Sequence, residues 1–142
     1  MSPVVHFIVE VSMNMNTKPP FPLIGVVDDD SSVREGIGSL IRSAGFSPVM
    51  FESAEAFLSR DHKHDLACLI VDMHMRELSG LELQRKLAKG NTSIPIIFVT
   101  AYADDLRETA LSQGAVAVLG KPFSAEDLLG AIQSALKLQP DS

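Results

Sequence analysis

The sequence predicts an α/β fold: a doubly wound sheet of five parallel strands with helices on both faces. Three observations predict it. Five short apolar runs alternate with five helix-period segments, a pattern that gives parallel strands joined by right-handed crossovers. The runs Leu66–Val71 and Ile94–Val99 are almost continuously apolar, as strands covered on both faces are. Polar residues appear just where each run stops, which is where open α/β sheets carry their sites.

The first 21 residues read differently from the rest. Val4–Val11 has the length of a short strand, and Asn14, Asn16, Thr17, Lys18, Pro19 and Pro20 read as a linker. Residues 1–21 are therefore expected to be an extension, with Met13 or Met15 equally good starts. The alternative is a strand that pairs with another chain. The domain is expected over residues 22–138, with 139–142 as a tail.

Leu23–Val27 is the first apolar run. Ser31–Ala44 follows as a helix, with Val33, Ile37, Leu40 and Ile41 on one face and Gly45 as its stop. Pro48–Phe51 is the second strand, and Ser53–Ser59 a short helix capped by Ser53 that buries Ala56 and Phe57. Arg60–Asp65 is a polar turn before the strand Leu66–Val71. Leu81–Lys89 is helical, with Leu83 and Leu87 spaced by four. After the loop Gly90–Ser93 comes the strand Ile94–Val99, then the helix Asp104–Ser112, stopped by Gly114. Ala115–Leu119 is the fifth strand. Ser124 caps the last helix, Ser124–Leu138, whose apolar face carries Leu128, Leu129, Ile132 and Leu136.

Composition narrows the function. At 142 residues the chain holds one domain. Its net charge of -6, from 18 acids against 12 bases, argues against direct nucleic-acid binding, which needs a basic face. No apolar run reaches the roughly 18 residues of a membrane span. The single cysteine, Cys68, lies in an apolar run and reads as a buried, inert thiol in a reducing cytoplasm. His62 and His64 sit in the polar turn between Asp61 and Asp65, where a solvated loop is the simpler reading than a metal clip; His6 has no visible partner.

The strand ends carry chemistry. Strand one ends at Asp28, Asp29 and Asp30, strand three at Asp72, strand four at Thr100, and strand five just before Lys121. Carboxylates gathered at one edge repel one another, and a hard divalent cation such as Mg²⁺ (or Mn²⁺) relieves that repulsion. Lysine and hydroxyl beside them complete a set suited to handling a phosphoryl group, with a carboxylate able to form an acyl phosphate. Asp30 reads as a helix N-cap or a solvated wall of the site.

The strings VVDDDSSVREGIGSLI, LIVDMHMRELSGLEL, PIIFVTAYAD and GAVAVLGKPF, in that order, resemble the receiver domain of two-component response regulators, of the kind found in nitrogen-fixation regulators. The resemblance spans Leu23 to Leu138. It implies the flavodoxin-like receiver fold with strand order 2-1-3-4-5. It implies Asp72 as phosphoacceptor, Asp28 and Asp29 as the Mg²⁺-binding pair, His74 as donor of a backbone carbonyl to the metal, Thr100 as switch hydroxyl and Lys121 as phosphate-binding lysine. Gly80 matches a glycine of the loop after strand three, and the Lys121–Pro122 bond is expected to be cis. The implied partners are a sensor histidine kinase or phosphotransfer protein and a downstream effector, or a homodimer through the face of helix 4, strand 5 and helix 5. The implied setting is a bacterial cytoplasm, and the implied chemistry is a phosphoacceptor with at most weak self-catalysis rather than an enzyme.

The chain departs from the family pattern in three places. Val118 stands where an aromatic switch residue is usual. Arg76 stands where a proline is common. Thr100 and Lys121 are 21 positions apart, one short of the commoner spacing, so the fourth helix is expected to start late or fray. Only four residues follow Leu138, so output is expected through protein contact unless the chain is a fragment. Two other functions compete: a degenerate receiver that acts as an unphosphorylated scaffold, and a phosphohydrolase whose nucleophile would be Asp28. A flavin binder fits poorly, because three aspartates after strand one would repel a phosphate.

Overall fold

The structure is a computed structural model that describes residues 22–60, 65–101 and 103–138. The expected strand Val4–Val11, the linker, His6, His62, His64, Tyr102 and the tail 139–142 lie outside the described residues. Five strands, β1 (Leu23–Val27), β2 (Ser47–Phe51), β3 (Cys68–Asp72), β4 (Ile96–Thr100) and β5 (Ala117–Gly120), form one parallel sheet in the order β2-β1-β3-β4-β5. Five helices connect and flank them: α1 (Ser31–Ser43), α2 (Ala54–Leu58), α3 (Gly80–Lys89), α4 (Ala103–Ser112) and α5 (Ala125–Lys137).

Period-two alternation divides the core between the sheet's faces. Ile24 and Val26 of β1, Cys68 and Ile70 of β3, and Ile97 and Val99 of β4 pack with Ile37 and Ile41 of α1 and Leu128 and Ile132 of α5. The intervening residues, Val27, Leu69, Val71, Ile96 and Phe98, pack with Phe57 of α2, Leu83 and Leu87 of α3 and Ala110 of α4. Every residue of β3 and β4 is buried, because both strands are central and covered on both faces. Phe51 and Phe57 meet edge to face, with ring centroids 5.3 Å apart, and tie α2 to the edge strand β2.

The helix ends follow the sequence closely. Asp30 caps α1, accepting from the amides of Ser32 and Val33; Ser53 and Ser124 cap α2 and α5. Ser79 and Glu82 close a capping box on α3. Gly45 and Gly114, beyond α1 and α4, take φ values of 95° and 105° that side chains rarely adopt.

Strand starts differ from the expected ones. β3 begins at Cys68 rather than Leu66, β4 at Ile96 rather than Ile94, and β5 at Ala117 rather than Ala115. Leu66, Ile94 and Ala115 are nonetheless buried. They close the bottom of the core before ladder pairing starts, so their apolar character reports burial and not strand. α4 begins at Ala103, one residue before the expected Asp104. Among the described residues, no helix is long and apolar enough to cross a membrane.

Candidate phosphoryl-transfer site

All five strands point the same way, so the ends of β1, β3, β4 and β5 open on one edge of the sheet. β1 hands over directly to Asp28 and Asp29, and Asp30 then turns the chain into α1. Asp28 is fully buried. Its amide donates to the Phe51 carbonyl at 3.2 Å, extending the β1–β2 ladder by one bond. Its Oδ1 accepts from the Asp30 amide at 2.9 Å. Its carbonyl accepts from Arg34 Nη1 at 2.6 Å. Its Oδ2 is buried without a hydrogen-bond partner.

Asp72, the last residue of β3, is buried, and its Oδ1 accepts from the His74 amide at 3.2 Å. Asp29 is half-buried, and its Oδ2 accepts from the Arg76 amide at 3.0 Å. One carboxylate oxygen from each of Asp28, Asp29 and Asp72 lies within 4.8 Å of the other two. Lys121 Nζ approaches from β5, 3.9 Å from Asp28 Oδ2 and 3.7 Å from Asp72 Oδ1. Thr100 ends β4, fully buried, opposite Gly120 in the register, and its carbonyl accepts from the Lys121 amide at 2.8 Å. The Lys121–Pro122 bond is cis.

The electrostatics follow from this crowding. Burial pushes the Asp28 carboxyl up to about 6; Asp72 and Asp29 add to the rise, while the Asp30 amide and Lys121 oppose it. Burial also raises Asp72, with Asp29 adding and the His74 amide and Lys121 opposing. Among the described residues, these three carboxylates face one ammonium group, and one buried oxygen has no hydrogen-bond donor. That donor set, hard oxygens in excess of positive charge, fits a divalent cation such as Mg²⁺. Asp28, Asp29 and Asp72 are the side chains that could hold it.

A glycine fixes the spacing behind Asp72. A Cβ at Gly80, the first residue of α3, would stand 2.9 Å from Met73 Cα and 3.0 Å from the Asp72 carbonyl oxygen. The helix can start this close to β3 only because that side chain is missing.

The structure brings Asp28, Asp29, Asp72 and Lys121 together and puts Thr100 at the same edge. Asp30 is exposed and spent on its cap, so it is not among the clustered carboxylates. The His74 side chain faces solvent, and its amide contacts Asp72. Val118 is 1% exposed and belongs to the core that α3 and α4 cover, so a small buried aliphatic fills the usual aromatic position. Sequence reasoning missed two contacts, those of Arg34 and of the Arg76 amide. Arg34 carried a signal: a cation in the first turns of a helix opposes the macrodipole, so it needs another reason to be there. The Arg76 contact is made by the main chain, which side-chain chemistry does not reveal.

Comparison with known proteins agrees with this geometry. Residues 24–133 match the family model of the response regulator receiver domain. The response regulator protein TmoT of Ectopseudomonas mendocina is 47% identical over 119 residues, 83% of this chain and 54% of that protein. The transcriptional regulatory protein FixJ of Bradyrhizobium diazoefficiens is 35% identical over 115 residues, 80% of this chain and 56% of that protein. The chain thus spans about half the length of the curated relatives it matches. The crystal structure of FixJ-N superposes with a TM-score of 0.78 at 30% identity, covering 87% of this chain and all of that one. The structure of the response regulator StyR gives 0.75 at 42% identity, covering 83% of this chain and 60% of that one. With matching sequence, strand order and architecture, the chain belongs to the family of response regulator receiver domains.

Proposed function

We propose that this receiver accepts a phosphoryl group on Asp72, in a Mg²⁺-dependent reaction, from a phosphohistidine on a sensor kinase or phosphotransfer protein. The observation that carries the reading is the placement of Asp72 at the end of β3. Its carboxylate lies 3.7 Å from Lys121 Nζ and within the cluster it forms with Asp28 and Asp29. Asp28 is the weaker nucleophile candidate: it is fully buried, and its Oδ1 and main chain are held by the Asp30 amide, Arg34 and β2. That weighs against the phosphohydrolase alternative.

The transfer would run as an in-line displacement. Asp72 Oδ1 is engaged by the His74 amide and Lys121, which leaves Oδ2 to attack phosphorus. The phosphorus–nitrogen bond of the donor breaks, and the imidazole leaves with its electron pair and takes a proton. Asp28, Asp29 and Asp72 would hold Mg²⁺, with the His74 carbonyl as a further ligand. The bound ion offsets charge on the phosphoryl oxygens. Lys121 supplies a second positive charge at the same place. Thr100 offers its hydroxyl to the attached phosphoryl group. The attacking carboxylate must be ionised, and Lys121 together with the ion favours that form against the effect of burial.

Output would pass by protein contact in the bacterial cytoplasm, through a shift between two conformations. The α4–β5–α5 face is the expected surface, toward an effector or a second copy. Val118 cannot act as a rotating aromatic, so coupling to that face would run through α4 and its packing. Beryllofluoride with Mg²⁺ mimics the acyl phosphate and tests the proposal. Backbone amide signals around Asp72, Thr100 and Lys121 should shift in the wild type and stay put in Asp72→Asn. A response that persists in the variant would put the acceptor elsewhere, and no response in the wild type would favour the scaffold.

A further inference from the structure

Position 76 is where the receiver pattern commonly has proline, a residue with no backbone N–H. Here it is arginine, and the amide that arginine supplies is used. It donates to Asp29 Oδ2 at 3.0 Å, joining the loop after β3 to the turn after β1 across 47 residues of sequence.

The three clustered carboxylates are not held equally. Asp28 and Asp72 are buried, and each accepts from an amide two residues ahead in its own turn, Asp30 and His74. Both also face Lys121. Asp29 is half-buried and has no such local amide among the described residues. Repulsion from its two neighbours would swing it toward solvent, where its charge is better hydrated. Among the described residues, the Arg76 amide is the hydrogen-bond donor to its carboxylate.

We propose that the main-chain amide of Arg76 is a positioning group, which preorganises Asp29 for the divalent cation by fixing one carboxylate oxygen and leaving the other unbonded. The proposal rests on reading the cluster as a Mg²⁺ site. It assigns the role to the amide and not to the guanidinium, which is exposed and enters no ion pair among the described residues. Groups that orient a metal ligand from behind are worth about tenfold or more in affinity. Replacing this amide restores what the family pattern commonly has, so the fold has a way to accommodate the change.

The test compares Arg76→Pro, which removes the N–H, with Arg76→Ala, which keeps it. Mg²⁺ affinity is read from amide shifts during titration of the full chain. Arg76→Pro should bind Mg²⁺ about tenfold more weakly, and Arg76→Ala within twofold of the wild type. Hydrogen exchange provides a readout without metal. The Arg76 amide should be protected in the wild type and lose that protection in Asp29→Ala. Equal affinity in Arg76→Pro and wild type, equal weakening in both variants, or an unprotected Arg76 amide would each overturn the proposal. If the wild type failed to bind Mg²⁺ at all while the amide stayed protected, the metal reading itself would fall and take this role with it.

Discussion

Asp28→Asn should make the metal-free protein more stable at neutral pH, although it alters a fully buried polar residue of the site. The wild-type carboxylate loses solvation on folding and joins two like charges, which lifts its pKa from 3.8 to about 6. At pH 7.5 it is ionised in both folded and unfolded chains. The distance between those two values then corresponds to about 3 kcal/mol of destabilisation of the folded state. Asparagine keeps Oδ1 as acceptor for the Asp30 amide and puts an N–H₂ donor where Oδ2 had no hydrogen-bond partner. The rise to about 6 already includes the opposing attraction of Lys121, 3.9 Å away, so the net gain should be about 3 kcal/mol, or roughly 12 °C in Tm for a domain of this size. The pH dependence has a definite sign. A carboxyl raised in the folded state favours folding fully below its unfolded pKa, and that contribution disappears as pH rises through about 6. The wild type should therefore lose stability between about pH 4 and pH 7 relative to the variant, and the two should converge at acid pH. Mg²⁺ at ten times its Kd should stabilise the wild type by about 1.4 kcal/mol and the variant by much less. Urea unfolding at pH 4.5 and pH 7.5, with chelator and with Mg²⁺, reads all of this. A metal-free variant less stable than the wild type at pH 7.5 would refute the account of the cluster as a repulsive, cation-seeking site.

Gly80→Ala should cost about 2 kcal/mol in urea unfolding and slow phosphorylation, because the new Cβ meets the backbone of Asp72 and Met73. Wild-type stability with normal phosphorylation kinetics would show that α3 can move away freely. Arg34→Ala should cost about 1 to 2 kcal/mol through loss of the bond to the Asp28 carbonyl, with partial recovery in Arg34→Lys, measured by the same unfolding curves. The Cys68 thiol, pushed up to about 12 by burial, should resist a thiol-specific disulfide reagent at pH 8 and react completely in denaturant. Fast reaction in the native protein would mean that β3 opens on the timescale of the assay.

Short apolar runs alternating with helix-period segments made the sheet legible, and the position of Asp28, Asp29, Asp72, Thr100 and Lys121 at run ends made the edge legible. Parallel strands leave no choice about where those ends collect. The caps Asp30, Ser53 and Ser124 were readable because a cap is a local event, set by one side chain and the next two or three amides. Strand starts were not readable: Leu66, Ile94 and Ala115 are apolar because they are buried, and burial does not distinguish ladder from loop. The inequality among the three carboxylates was hidden for another reason. It depends on which main-chain amide each one meets, and the amide reaching Asp29 comes from 47 residues away.

Trapping the modified residue tests the central claim most directly. The protein would be treated with a small acyl phosphate and Mg²⁺, reduced with borohydride to convert any aspartyl phosphate to homoserine, and mapped by peptide mass spectrometry. Homoserine at position 72, absent when Mg²⁺ is chelated, is the predicted result; homoserine at position 28 or 29, or labelling of Asp72 that ignores the metal, would contradict it.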